Sequence, residues 1–306
     1  DSAEVAANLD AGLARSVAAW IKVDTGYGRA GIPWDRAERI ASLARAIDSS
    51  LRLEFRGLVT HSGQSYKADS AEAVAAIHNT SGLTVAAHLT CVDATKSETL
   101  AIAQSYAATG VRDIMALRGD TPQQASNYTA HPDGFASSVD LIAALADTGN
   151  FNIRVGAYPE KHPDAADQAA DIAFLKRKID AGATSAITQF FFEAETFFRF
   201  RDACVKAGID APIIPGILPI ENWAGTQRFA ARCGTSIPLV VRDAFAHATP
   251  QTTALLATAI ATELCDDLIQ GGVDHLHFYT LNRPELTRDI CHALGKTAKA
   301  QLQKVA

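Results

Sequence analysis

The sequence contains no block of basic residues and no long apolar run. Its 28 lysines and arginines are outnumbered by 34 aspartates and glutamates, giving a net charge of -6 and an isoelectric point near 5.8. Because nucleic acids and anionic membrane surfaces are bound through clustered cations, we expect neither as a partner. No apolar stretch approaches the roughly 20 residues that a membrane-spanning helix needs. Asp1 begins no signal-peptide pattern either, so we expect a cytoplasmic protein.

Cysteine is also sparse, and its spacing excludes the usual cysteine-based sites. The five cysteines are odd in number and scattered, without the close pairs of a zinc site or a disulfide framework. His275 and His277 alone do not make a metal site, so we predict no bound metal. This cysteine usage is typical of a reducing compartment.

A Gly-x-Gly-x-x-Gly turn is missing after the first predicted strand, which argues against the alternative of a doubly wound open sheet. Apolar strand-like runs instead alternate with amphipathic helical runs. The predicted strands are 19–24, 55–60, 83–88, 113–117, 153–158, 185–189, 212–217 and 275–279. The predicted helices are 1–17, 35–47, 68–79, 95–108, 137–147, 165–181, 194–207, 222–232, 250–270 and 284–293.

Eight strands that alternate with helices are the number that closes a (β/α)8 barrel. With 306 residues, 48% of them hydrophobic, the chain could also form two ordinary domains. No linker or low-complexity tract divides it, however. We therefore predict an α/β fold in which residues 1–306 form a single closed (β/α)8 TIM barrel domain with an N-terminal helix.

Polar residues follow nearly every predicted strand, and in a parallel barrel the carboxyl ends of all strands meet at one face. Arg118 can bind a phosphate, Gly119 allows close backbone approach, and Asp120 can orient a reacting group. The alternative is that Gly119 and Asp120 only form a turn. The whole set suits an anionic, ring-bearing ligand such as a nucleotide cofactor. It comprises Lys22, Asp24, Thr60, His61, His88, Arg118–Asp120, Tyr158–His162, Gln189, Gly216 and Thr280–Arg283.

From about residue 70 to 295 the sequence resembles the flavin-dependent methylenetetrahydrofolate reductases. The resemblance is carried by Ala87-His-Leu-Thr-Cys91, Ala116-Leu-Arg-Gly-Asp120, Ala157-Tyr-Pro-Glu160 with His162, Leu175-Lys-Arg-Lys178 with Asp180-Ala-Gly182, Ala186-Ile-Thr-Gln-Phe-Phe-Phe192, Ile214-Pro-Gly-Ile-Leu-Pro219 and His277-Phe-Tyr-Thr-Leu-Asn-Arg283. Seven motifs in one order make a chance match very improbable.

The resemblance implies a barrel that binds FAD. The residues it places around the flavin and its phosphates and ribose are His88, Arg118, Gly119, Asp120, Tyr158, His162, Asp171, Arg177 and Lys178. It also implies folate contacts from Gln189 to the pterin, from Phe229 by stacking and from Arg283 to the glutamate tail. Asp120 and Gln189 are the implied catalytic residues, and Asp120 would tune the flavin potential. Asp171, Leu175 and Lys178 are spaced to share one helical face.

The first strand departs from this family. There the family carries a Phe-Glu-Phe-Phe-Pro-Pro pattern whose glutamate is the expected proton donor, whereas this chain has Trp20-Ile-Lys-Val-Asp-Thr-Gly26. Ile21–Gly31 and Phe55–Gly63 instead resemble the pyridoxal-phosphate barrels of the alanine racemase and D-threonine aldolase type. In those proteins, residues matching Lys22, Arg29 and His61 surround the pyridine ring, but the Schiff-base lysine has no counterpart here.

These two resemblances predict an engineered chimera, with residues 1–67 from a pyridoxal-phosphate barrel and residues 68–306 from a reductase. The favoured function is a scaffold with weakened FAD binding and little or no catalysis. The first alternative is an active reductase that oxidises NAD(P)H, with Asp24 as the nearest candidate proton donor. The second is a pyridoxal-phosphate enzyme, which we disfavour because its lysine is missing.

Overall fold

The structure is a computed structural model of the 306-residue chain. It describes residues 17–24, 32–33, 38, 41–42, 45, 53–61, 84–119, 129–280 and 284–295. The predicted helix 68–79 and nearly all of the predicted N-terminal helix lie outside these residues. Of the predicted helix 35–47, the four described residues are helical.

The fold is α/β, and all its paired strands are parallel. The strands are β1 (Val17–Asp24), β2 (Ile32–Pro33), β3 (Leu53–His61), β4 (Val85–Thr90), β5 (Asp113–Leu117), β6 (Asn152–Ala157), β7 (Ser185–Phe190), β8 (Ile213–Ile217) and β9 (His275–Phe278). They pair in the order β2-β1-β3-β4-β5-β6-β7-β8-β9, and β1 also pairs with β9. Each of the eight predicted strands is present within two residues of its predicted bounds, whereas β2 was not predicted.

Helices follow most of the strands from β4 onward. In the described part of the chain they are α1 (Lys96–Ala108), α2 (Ser138–Asp147), α3 (Gln168–Asp180), α4 (Ala194–Lys206), α5 (Trp223–Cys233), α6 (Leu239–Ala246), α7 (Pro250–Gln270) and α8 (Pro284–Ala293). Several begin where a polar side chain caps the first turn. Thr95 forms a capping box with Glu98, and Asp167 accepts from the amide of Ala170 at 2.7 Å.

Sequence reasoning missed helix α6. Its first two residues, Leu239 and Val240, are 75% and 74% exposed. Because these apolar side chains face outward, they blur the 3.6-residue pattern by which a surface helix is recognised. None of the helices in the described ranges is long and apolar enough to cross a membrane.

The core has two layers, which follow from the alternation of side chains along each strand. One face of the sheet packs against the helices through residues such as Ile114, Ala116 and Val155. The other face forms a small separate cluster of Met115, Ile187 and Ile214. On this second face Arg154 donates to Asp113 at 2.8 Å, and the pair is almost buried at the amino ends of β5 and β6.

A buried histidine on α8 predicts how stability depends on pH. His292 is 6% exposed, and neither ring nitrogen has a hydrogen-bond partner within the described part of the chain. Burial lowers the pKa of His292, Arg288 lowers it further, and Asp289 opposes this. The unfolded chain therefore takes up a proton below about pH 6.5 that the folded protein resists, so stability falls as the pH falls through this range.

We expect His292→Leu to make the free energy of unfolding decline less steeply than in the wild type between pH 7 and pH 5. Urea unfolding at several pH values measures this slope. The surface substitution His247→Leu is the matched control. Equal slopes for His292→Leu and the wild type would contradict the assignment.

Candidate functional site

The face of the sheet that carries Met115, Ile187 and Ile214 becomes polar toward the carboxyl ends of the strands. His88 pairs with His61 on β3 and with Met115 on β5, and its side chain is 8% exposed. Gln189 lies two residues beyond Ile187 on β7, at an irregularity in the pairing of β7 with β8. The apolar cluster therefore gives way to a polar region at the end where parallel α/β proteins bind ligands.

Tyr279, which sequence reasoning missed as an individual site residue, closes one side of this region. Its hydroxyl donates to the carbonyl of Thr188 at 2.8 Å, and the Thr188 hydroxyl accepts from the amide of Gly216 at 2.9 Å. Burial raises the pKa of Tyr279, so its hydroxyl stays protonated. The sequence feature that could have identified Tyr279 is its position directly after strand β9.

Arg118 and Gly119 lie at the carboxyl end of β5. The Nη1 atom of Arg118 is 3.3 Å from Oδ2 of Asp164, and both side chains are partly or largely exposed, so this ion pair stabilises the fold only weakly. Gly119 has φ +96°, and a Cβ there would lie 2.5 Å from Cγ1 of Val92. Only glycine fits this turn. Asp120 lies outside the described residues.

The loop after β6 brings Tyr158 and His162 together. Their ring centroids are 4.5 Å apart in an edge-to-face arrangement. The His162 amide donates to Asp171 at 2.7 Å, and the His162 Nδ1 accepts from the Asp164 amide at 3.0 Å. Burial lowers the pKa of His162, and Arg118 and Lys178 lower it further, although Asp164 and Asp171 oppose them. A neutral His162 therefore carries its proton on Nε2.

Lys178 of α3 extends from the helix toward the end of β6. Its ammonium donates to the carbonyl of Gly156 at 2.9 Å and lies 5.0 Å from the ring centroid of Phe174. Burial lowers the pKa of Lys178 to about 8; Asp171 opposes this and Arg118 adds to it. Asp171 and Arg118 are thus close enough to Lys178 to change the pKa of its ammonium. Arg177 is exposed, and its Cζ atom also lies near the Phe174 ring, 5.4 Å from the centroid.

Gln189 and Phe229 form a second group. The Gln189 Nε2 donates to Sγ of Cys233 at 3.4 Å, and its Oε1 accepts from the Phe190 amide at 3.1 Å. Phe229 of α5 packs on Phe190 with centroids 4.9 Å apart. Arg283 lies outside the described residues. Cys233 was not predicted for the site, because nothing in the sequence indicates that the end of α5 lies beside β7.

The described residues contain no cluster of three or more metal-ligating side chains. The structure does bring together Arg118, His162, Asp171 and Lys178, with Tyr158 at their edge. Asp164 joins them, although sequence reasoning overlooked it. It is an acidic residue in the loop between a strand end and a capped helix, which is the signal that could have identified it.

These features define a class of protein: a parallel α/β protein with cationic and aromatic side chains at the carboxyl ends of its strands. The sequence model for methylenetetrahydrofolate reductase matches residues 36–295. The 5,10-methylenetetrahydrofolate reductases of Pectobacterium carotovorum subsp. carotovorum and Escherichia coli (strain K12) are each 42% identical to this chain over 265 residues, or 86% of this chain and 84% of theirs. The chain belongs to the methylenetetrahydrofolate reductase family.

A solved structure also resembles this one. An uncharacterized protein from Clostridium thermocellum, which binds two copies of 5-methyl-5,6,7,8-tetrahydrofolic acid, superposes with a TM-score of 0.56. The two sequences are 15% identical, and the match covers 95% of this chain and 96% of that chain. At this level of identity the likeness shows a shared fold.

The predicted chimera is not supported. The family match begins at residue 36 and continues without interruption past residue 67, where the seam between two parents was predicted. The segment 36–67 therefore belongs to the same family as the rest of the chain. No comparison supports a pyridoxal-phosphate fragment or an engineered origin.

Proposed function

We propose that this protein is an active flavin-dependent methylenetetrahydrofolate reductase, which transfers a hydride from NAD(P)H to 5,10-methylenetetrahydrofolate. Its family membership supports the reaction class. The observation that carries the cofactor assignment is the pair of cations Arg118 and Lys178, since Arg118 lies close enough to Lys178 to lower the pKa of its ammonium. Two neighbouring cations, one of them partly desolvated, favour a bound anion such as the diphosphate of FAD.

The described side chains fit such a cofactor. Arg118, Gly119 and Lys178 would hold the phosphates, since Gly119 lets the backbone approach closely. Asp171 and the exposed Arg177 would contact the ribose and phosphate part from α3. Tyr158, His162 and His88 would line the flavin. When bound, the flavin would accept a hydride from the nicotinamide and pass it to the folate.

We assign the folate to the group formed by Gln189 and Phe229. The Gln189 amide suits the donor and acceptor edge of a pterin, and Phe229 offers an aromatic face. Arg283 would bind the glutamate tail. The fold similarity to a protein that binds a methyltetrahydrofolate supports a folate ligand, and these assignments make Gln189 a catalytic residue that orients the substrate.

The proton for the folate nitrogen needs a donor, because the family's glutamate is absent. Asp24, the last residue of β1, lies at the carboxyl end of a strand that pairs with both β3 and β9. We propose that Asp24 supplies this proton and that Asp120 disfavours negative charge on the reduced flavin.

We also infer that residues 1–306 form one closed (β/α)8 barrel domain. The support is the parallel pairing of β1 with β3 on one side and with β9 on the other. Such pairing joins the last strand, β9, to β1 near the other end of the strand order, as closure of a barrel requires.

The two half-reactions test the function separately. We expect the purified protein to bind FAD, NADH to reduce it under anaerobic conditions, and methylenetetrahydrofolate to reoxidise it, with both steps followed by flavin absorbance. Gln189→Ala should slow reoxidation by about tenfold to a hundredfold while reduction by NADH changes much less, since the lost contacts serve the folate.

Asp24→Asn should slow reoxidation selectively, by about a hundredfold if Asp24 is the proton donor. Asp210→Asn, at the start of the exposed segment before β8, is the control for a surface carboxylate. Failure of the wild-type protein to bind flavin would refute the proposed function. Equal reoxidation rates for the wild type and Asp24→Asn would refute only the role of Asp24.

A further inference from the structure

One carboxylate joins the loop after β6 to the end of α5. Glu160 lies in this loop between Tyr158 and His162, and Ser236 lies just beyond α5. The amide nitrogen of Ser236 is 3.0 Å from each carboxylate oxygen of Glu160. This forked hydrogen bond connects two segments that are 76 residues apart in the chain.

The two segments also approach each other closely. Gly234, which ends α5, has φ +72°, and a Cβ there would lie 3.6 Å from the carbonyl oxygen of Lys161 and 3.9 Å from Cγ of Pro163. The left-handed turn at Gly234 directs the chain back onto the loop. Ser236 is thereby brought to Glu160.

The loop is held in an unusual backbone conformation at Lys161, whose φ is 140°. A residue with a side chain keeps such a conformation only where its surroundings impose it. Both neighbours of Lys161 are anchored: Glu160 accepts from Ser236, and the His162 amide donates to Asp171 at 2.7 Å. The strained residue therefore lies between two carboxylate hydrogen bonds, one toward α5 and one toward α3.

Helix α5 connects this loop with the second group of the site. Phe229 of α5 packs on Phe190, and Cys233 at its end accepts a hydrogen bond from Gln189. The position of α5 thus determines where Phe229 lies and supports the side chain of Gln189. The hydrogen bond from Ser236 to Glu160 determines how the end of α5 lies against the loop.

We propose that Glu160 is a positioning residue that couples the loop carrying Tyr158 and His162 to helix α5, so that each ligand strengthens the binding of the other. The identity of the two ligands, FAD and folate, rests on the proposed function. Tyr158 and His162 would hold FAD and the loop together, and Glu160 would carry this restraint to α5, where the folate would bind. By thermodynamic reciprocity the folate raises the affinity for FAD by the same factor. We expect this gain to be expressed mainly as slower dissociation of FAD.

The test compares Glu160→Ala and Glu160→Gln with the wild type. Glu195→Ala is the matched control, because Glu195 pairs with Arg199 at 3.7 Å within α4 and joins no two segments. The first measurement is the hydrogen exchange of residues 223–236 in protein without ligands. The second is the FAD dissociation rate of the holoenzyme with and without methylenetetrahydrofolate. Steady-state kinetics give kcat and KM for the folate.

Loss of a hydrogen bond to a charged group should speed exchange in residues 223–236 of Glu160→Ala by about tenfold. The factor by which folate slows FAD dissociation should fall by about fivefold, with KM for the folate raised and kcat changed less. Glu160→Gln should be intermediate, since its carboxamide oxygen still accepts from Ser236. Glu195→Ala should match the wild type in all three measurements.

Two results would overturn the coupling while the proposed function stands. One is unchanged exchange of residues 223–236 in Glu160→Ala. The other is an undiminished effect of folate on FAD dissociation in that variant. If the wild type binds neither FAD nor folate, the proposed function itself fails, and the coupling of these ligands fails with it.

Discussion

Replacing Gly216 by alanine is expected to destabilise the protein by about 3 kcal/mol or more, because the added methyl group has no space. A Cβ at this position would lie 2.2 Å from the backbone oxygen of Thr188 and 2.6 Å from Cε2 of Tyr279. The oxygen cannot move aside freely, since it accepts the Tyr279 hydroxyl at 2.8 Å. β7 and β8 would have to separate at the end where the ligands are proposed to bind.

Urea unfolding, monitored by circular dichroism, measures this loss. The matched control is Gly156→Ala on β6, where the nearest atom to the added Cβ is Cδ2 of Leu117 at an ordinary 3.7 Å. The control should unfold within about 1 kcal/mol of the wild type, the cost of a tolerated glycine substitution in a strand. A Gly216→Ala variant as stable as the control would show that β7 and β8 are not so close.

FAD affinity should fall as the pH rises above about 8, and Lys178 should be responsible for the change. The pKa of Lys178 is lowered to about 8 by burial. A bound diphosphate favours the charged ammonium and so raises this pKa. Below pH 8 the lysine is already protonated and affinity is constant. Above pH 8 binding must take up a proton, so the dissociation constant rises by up to about tenfold per pH unit.

Lys178→Gln removes both the charge and the titration. We expect its FAD affinity at pH 7 to be lower by about tenfold to a hundredfold, the value of a hydrogen bond to a charged group. The affinity should also lose its dependence on pH between 7 and 9.5. Titration with FAD, followed by quenching of flavin fluorescence, gives both quantities.

Lys176→Gln is the control for this experiment, because Lys176 lies on the same helix and pairs with Asp180 on the outer surface. It should keep the affinity and pH dependence of the wild type. A dependence on pH that persists in Lys178→Gln would assign the titration to another group. An unchanged affinity would remove Lys178 from the phosphate site.

Local patterns predicted most of the elements because they report on one segment at a time. The strand 113–117 was predicted with its observed bounds, since an apolar run of that length between a helix and an Arg-Gly turn has few other structures. Helix α3 was predicted about one turn too early at its start, because the cap at Asp167 was not identified. Helix α6 was missed because its exposed apolar residues resemble a strand.

The same local reasoning selected the candidate residues of the site. Arg118 and Tyr158 directly follow strands, and Gln189 lies near the carboxyl end of β7. The rule that ligands bind at strand ends identifies such residues without coordinates. Asp164, Cys233 and the connection from Glu160 to Ser236 were not predicted. Each depends on a contact between segments far apart in the chain, and no local period or turn signal encodes such a contact.

The prediction of two parents is not supported by the comparisons, because it relied too heavily on short local resemblances. Two short segments at the ends of β1 and β3, Ile21–Gly31 and Phe55–Gly63, resembled another family. These local resemblances were given more weight than the continuity of the rest. The family match from residue 36 onward shows that residues 36–67, which the prediction had assigned to the other parent, belong with the remainder. Strand-to-turn patterns recur among unrelated parallel barrels, because the same turn geometry needs the same small residues.

The sequence by itself determined the alternation of strands and helices, the parallel α/β class and the polar strand ends, because each is written in the spacing of neighbouring residues. Only the tertiary structure decided that Lys178 is desolvated beside Arg118 and Asp171, that Gly216 lies against Thr188, and that Glu160 meets Ser236. Burial and hydrogen bonding are properties of the packed chain, since they depend on which distant segments exclude water from a given atom.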